Sequence, residues 1–269
     1  MKFFRRIFKI SAIVICFPVF FLAVLFCNGW RRKWDGIAGA VFWTKIWAHG
    51  ICFLTGMKIK VYGEPENARG KLVISNHTGY LDVFAQGAVF PVRFAPKAEM
   101  RNWPFAGALV SLARPVWIYR RQRSKAAETA GEIRETLEHK FAMLVYPEGT
   151  STDGKHGLLP FKSTAFEAAL SANAVLLPVL IVHRGVPEGD CETAWFGDTA
   201  FLSHLWSVLG LKEIHTSVYI MPEQSILPGE DRKALAERMH RIMTEQYEKG
   251  IPSAKNRDSA LSGTLPQTE

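Results

Sequence analysis

The chain has 269 residues, 48% of them hydrophobic, a mean hydropathy of +0.02 and a net charge of +8. That length holds one substantial core, or one core with a small appendage, and the hydropathy is too low for a multi-span transporter. Residues 1–33 contain Lys2, Arg5, Arg6, Lys9, Arg31, Arg32 and Lys33 with no acidic residue, so +7 of the charge is N-terminal and the remainder of the chain is near neutral. Such a distribution suits anionic lipid headgroups and argues against a nucleic-acid partner, which would want basic residues across a folded face. The four cysteines, Cys16, Cys27, Cys52 and Cys191, have no paired or metal-ligand spacing, so neither a disulfide framework nor a metal site is expected.

Residues 10–30 carry no charge. As a helix they would reach about 31 Å, the hydrocarbon thickness of a bilayer. The run ends in Asn-Gly-Trp-Arg-Arg-Lys and not in a small-residue cleavage site, which favours a retained anchor over a signal peptide. Basic residues flank both ends, so the positive-inside rule gives no orientation. Residues 36–55 are apolar with Trp43, Lys45, Trp47 and His49 interspersed, a mixture suited to the headgroup boundary. They form either the second arm of a membrane-seated helical hairpin, the preferred picture, or an amphipathic helix packed on the domain.

From residue 57 strand and helix signals alternate. Strands are expected over 59–62, 72–75, 92–94, 116–119, 142–146, 175–182, 193–196 and 214–221, and helices over 103–113, 124–139, 163–172, 201–209 and 231–249. The pattern predicts a single α/β domain with a mostly parallel sheet flanked by helices, over residues 57–250 and behind an anchor at 1–56. The polar tail 251–269 is expected to be disordered. Reactive groups in such sheets gather at the carboxyl ends of the strands. Those ends carry Asn76 and His77, Lys97, Arg120 and Arg121, and Pro147-Glu148-Gly149-Thr150.

Asn76-His77-Thr78-Gly79-Tyr80-Leu81-Asp82 stands out. If Gly79 to Asp82 open a helix, its first turn brings Asp82 back to the His77 ring. A carboxylate on the Nδ1 proton leaves Nε2 as an outward-facing acceptor, the arrangement of an oriented general base. The same residues are also good turn chemistry, with His77 capping a helix.

Asn76-His77-x4-Asp82 followed by Tyr146-Pro147-Glu148-Gly149-Thr150 resembles the glycerolipid acyltransferase family, in which Asn-His-x4-Asp and Phe/Tyr-Pro-Glu-Gly-Thr are the first and third motifs. Lys97 and Glu99 before Pro104 and Gly107, Ile118-Tyr119-Arg120, and Leu177-Pro178-Val179 resemble its other patterns. The likeness spans about residues 70–185, plus the N-terminal hairpin.

The resemblance implies transfer of a fatty acyl group from a thioester to a lysophospholipid hydroxyl, foremost 1-acyl-glycerol-3-phosphate. It makes His77 the base, Asp82 its orienting partner, and Asn76, Lys97, Arg120, Glu148, Gly149 and Thr150 substrate-binding. It implies no cofactor beyond acyl-CoA or acyl carrier protein as co-substrate, membrane phospholipids as partners, and an inner-membrane site with the catalytic domain on the cytoplasmic side. No oligomeric state follows from it. Two positions depart from the pattern. Arg114 stands where the second motif usually has Gly, and Ser151 follows Gly-Thr where an arginine linked to the acceptor phosphate is usual. Ser151 raises a second acceptor, a lyso-aminolipid such as lyso-ornithine lipid. A non-catalytic lipid-binding protein is the alternative of another class, and the intact His77–Asp82 spacing speaks against it.

Overall fold

The computed structural model describes residues 2–28, 33–104, 106–119, 123–186 and 193–250. Helix α1 (Lys2–Asn28) and helix α2 (Lys33–Thr55) precede the sheet. The elements then run β1 (Met57–Tyr62), β2 (Leu72–Ser75), α3 (Tyr80–Val89), β3 (Val92–Phe94), α4 (Ala106–Leu112), α5 (Arg123–Glu138), β4 (Ala142–Val145), α6 (Glu167–Ser171), β5 (Leu176–Val186), α7 (Phe201–Leu209), β6 (Glu213–Ile220) and α8 (Arg232–Gly250).

The six strands lie in the order β1-β6-β5-β2-β4-β3. β5, β2, β4 and β3 are mutually parallel, and Leu72 sits opposite both Met143 and Leu176. β6 runs antiparallel to β5 and parallel to β1. The α/β class, the mostly parallel sheet and the flanking helices are as expected, and the β5–β6 pairing is the antiparallel one. Only the four-strand half delivers its carboxyl ends to one edge, and that edge holds His77.

The strands of this half are apolar throughout because both faces are covered. Val73, Leu144, Leu177 and Ile181 pack with Leu81, Ala85 and Ala88 of α3 on one face. Leu72, Ile74, Met143 and Leu176 pack with Ile133 and Leu137 of α5 and with Leu235, Met239 and Met243 of α8 on the other. The stripe on the last helix is therefore packing.

Several expectations need correction. Residues 116–119 do not join a strand ladder, and Ile118 makes a single bridge to Lys97. Residues 193–196 are irregular. The helix expected from Trp103 begins at Ala106, after a 3₁₀ turn over Ala98–Asn102. The expected helix 163–172 opens as a 3₁₀ turn before α6. The tail 251–269 lies outside the described residues.

The N-terminal helices are docked on the domain. α2 buries Ile37, Ala40, Val41, Ala48, Ile51 and Cys52, and Trp47 meets Phe84 of α3 edge to face. By length and composition α2 is also long and apolar enough to cross a membrane, and only 33% of its apolar window is buried in protein. Of the two readings of this segment, the packing against the domain is the one its buried face displays. Lys9 donates to the carbonyls of Thr55 and Leu211, placing a cation at the carboxyl end of α2. Arg5 donates to the Gly210 carbonyl and Arg6 lies over the Trp206 ring. Part of the N-terminal positive charge thus fastens α1 to the domain.

Candidate functional site

β2 ends at Ser75 and the chain turns sharply into α3. The turn needs Gly79, whose φ is +148°; a Cβ there would stand 3.0 Å from the Trp195 nitrogen. That nitrogen donates to the Thr78 carbonyl at 2.8 Å, strapping residues 193–196 across the turn. Asp82 falls in the first turn of α3 and points back along it. Its Oδ2 receives His77 Nδ1 at 2.8 Å, Thr78 N at 2.6 Å and Gly79 N at 3.0 Å. Its Oδ1 receives the Thr78 hydroxyl at 2.7 Å and His183 Nε2 at 2.7 Å.

The carboxyl is fully buried, which by itself raises its pKa. Hydrogen bonds from His183 and His77, and the positive charge those rings can carry, outweigh that effect and hold it well below the usual carboxylate range. Asp82 therefore stays ionised and acts as acceptor alone, so His77 carries its proton on Nδ1 and leaves Nε2 as the acceptor. The His77 side chain is 22% exposed against 0% for Asp82. One partner meets solvent and the other does not.

Three further residues fix His77, one at its ring and two at its backbone. Tyr146, the last residue before the Pro147 turn, stacks on it at 4.0 Å with planes 16° apart. Burial and the Asp82 charge push the Tyr146 phenol well above its ordinary pKa, and it donates to Gln86, which in turn donates to Ser75. Glu148 accepts the His77 backbone N–H at 2.8 Å through one oxygen and the Leu159 N–H at 3.0 Å through the other. The Thr152 N–H reaches the His77 carbonyl at 2.9 Å.

A partly exposed imidazole held by a buried carboxylate, at the carboxyl edge of parallel strands, can take a proton from a hydroxyl. A family model described as Acyltransferase matches residues 58–182. Lyso-ornithine lipid O-acyltransferase of Brucella abortus is 31% identical over 252 residues, 87% of this chain and 91% of that protein. The 1-acyl-sn-glycerol-3-phosphate acyltransferase of Neisseria gonorrhoeae is 30% identical over 175 residues, covering 65% of this chain and 68% of that protein. This chain belongs to the acyltransferase family. The fold agrees: the crystal structure of the 1-acyl-sn-glycerophosphate (LPA) acyltransferase PlsC from Thermotoga maritima superposes with a TM-score of 0.66 at 19% identity, over 99% of this chain and 100% of that one.

The remaining expected site residues of this acyltransferase divide into two groups. Asn76 is 2% exposed, and its amide pairs both ways with the Ile181 backbone, at 3.0 Å and 2.8 Å. It clamps the end of β2 to β5. Glu148 is 2% exposed, with both oxygens on backbone N–H groups; burial raises its pKa despite the N–H donors of Leu159 and His77. Through these contacts Glu148 holds the His77 backbone to the segment that follows β4. Gly149, at φ +72°, and exposed Thr150 lie on the open side. Lys97, exposed, follows β3 on the same edge. Arg120 lies outside the described residues.

Two residues escape a reading by motif. Lys162 Nζ lies where a Cβ on Gly149 would be 2.6 Å away, so this cation borders the Gly149–Thr150 turn. His183 shares Asp82 with His77 from 101 residues away. The sequence signal for His183 is a polar residue continuing the alternating face of Val179 and Ile181. Arg114 is also explained: its backbone has φ +47°, a conformation that glycine adopts freely, and its guanidinium donates to the Lys33 carbonyl at 3.2 Å.

Proposed function

We propose that this acyltransferase moves a fatty acyl group from a thioester to the free hydroxyl of a lysolipid, with His77 as general base. The supporting observation is the 2.8 Å contact between His77 Nδ1 and a buried, ionised Asp82. His77 Nε2 takes the hydroxyl proton as the oxygen attacks the thioester carbonyl. Collapse of the tetrahedral intermediate breaks the C–S bond, and the imidazolium returns the proton to the leaving thiolate. Asp82 keeps the tautomer and stabilises the imidazolium, while remaining ionised itself. The donor thiol is that of coenzyme A or acyl carrier protein.

Two acceptors have separate support. Lys97 and Lys162, cations at the edge of the site, favour the phosphomonoester of 1-acyl-glycerol-3-phosphate. Ser151, in place of the phosphate-linked arginine, favours lyso-ornithine lipid, as does the Brucella relative that matches 87% of the chain. The second reading has the broader support. Supplying both lysolipids in competition for one acyl donor decides between them; exclusive formation of phosphatidic acid would refute it.

Residues 1–56 serve as a membrane seat and 57–250 as the catalytic domain, placed on the cytoplasmic side of the inner membrane. The exposed apolar residues of the two helices support the membrane seat, with Phe4 77% and Phe53 83% exposed.

A further inference from the structure

Asp82 serves two histidines. His183, on β5, has a side chain only 2% exposed. Its Nε2 lies 2.7 Å from Asp82 Oδ1 and its Nδ1 lies 2.8 Å from the Thr216 hydroxyl on β6. An ionised carboxylate only accepts, so Nε2 carries a proton; in the neutral ring Nδ1 then accepts from Thr216. Burial removes His183 from any substrate, so it is not a second base.

We propose that His183 is a positioning residue for acyl transfer, holding Asp82 Oδ1 so that Oδ2 stays in line with the His77 ring. The torsion that turns an aspartate carboxylate about Cβ–Cγ is soft and broad, so its plane must be set from outside. Of the five donors on Asp82, four belong to residues 77–79 and would swing with the turn that carries them. The fifth, His183, is anchored in the sheet through β5 and Thr216. His77 is fixed from the other side, because Glu148 and Thr152 hold its backbone to the chain that follows β4. Ring and carboxylate are thus referenced to neighbouring parts of one rigid sheet, the condition under which alignment contributes to rate.

This inference rests on His77 being the base. The test uses the full chain in lipid–detergent micelles with saturating thioester donor, after thermal unfolding has verified folding. His183→Leu is expected to lower kcat about 10- to 100-fold with KM for the lysolipid within about twofold. His183→Gln, whose amide N–H can reach Oδ1, should restore kcat to within about threefold of the parent. In a His77→Ala background, His183→Leu should lower the residual rate by less than about twofold, because nothing is left to align.

A folded His183→Leu enzyme with parental kcat overturns the proposal. So does a glutamine variant as impaired as leucine, or a full additive loss beside His77→Ala. Should the leucine variant not fold, Thr216→Val takes its place: it loosens the ring without removing it and should lower kcat about threefold, whereas a parental kcat overturns the proposal. Parental activity in His77→Ala alone would sink the base assignment instead, which keeps the two failures apart.

Discussion

Around His77, polar groups are held by partners inside the protein, whereas α1 and α2 leave Phe4, Phe8 and Phe53 largely exposed. The first region is made of directional contacts between 2.6 and 3.0 Å, each set by one atom in one place. The second is made of apolar area, which adds up over many side chains and depends on no single one. Damage should therefore be abrupt at the β2–α3 turn and graded along the helices.

The sharpest break is His77→Ala. Acyl transfer from a thioester should fall about 10²- to 10⁴-fold, the usual contribution of a positioned base, with thermal stability nearly unchanged. Activity equal to the parent would remove His77 from the chemistry. Asp82→Asn should lower kcat on a similar scale and, unlike the first variant, also destabilise by about 1–3 kcal/mol, because an amide turns its own N–H groups towards donors in a buried site. Urea midpoints measured alongside kcat separate the two effects.

The same aspartate sets a pH signature. Its folded pKa lies below its unfolded value, so its contribution to stability is fully present above about pH 4 and is lost as the pH falls through the folded pKa. Urea midpoints between pH 5 and pH 3 should drop more steeply in the parent than in Asp82→Asn; equal slopes would show that the carboxyl titrates normally.

Gly79→Ala is intermediate. It places a Cβ 3.0 Å from the Trp195 nitrogen at φ +148°, and should cost about 1–3 kcal/mol while loosening the strap over the turn. An alanine variant of parental stability would mean that the turn yields easily.

The mildest effects belong to the seat. Phe4→Ser, Phe8→Ser and Phe53→Ser should each weaken flotation with liposomes by a few-fold and together abolish it, while activity in micelles stays near the parent's. A single substitution that released the protein completely would contradict additive anchoring.

The local parts of this picture are written in the chain itself. His77 and Asp82 meet within one helical turn, so spacing suffices, and apolar runs such as 142–146 announce strands covered on both faces. Ser151 and the +7 of the N-terminus are likewise plain in the sequence. Longer-range facts are not. A strand's direction depends on which neighbour it pairs with, so β6 turning antiparallel to β5 left no local mark. Residues 116–119 have strand composition, yet they bond mainly to the segment after β3, through Pro96 and Ala98, and form an isolated bridge in place of a ladder. The family motifs mark Glu148 and Asn76, but that Glu148 holds the His77 backbone and Asn76 the Ile181 backbone is visible only in the fold. Only the folded sheet brings His183 to Asp82, because 101 residues of chain carry no spacing rule. The sequence determined the His77–Asp82 pair, and tertiary packing determined what holds it still.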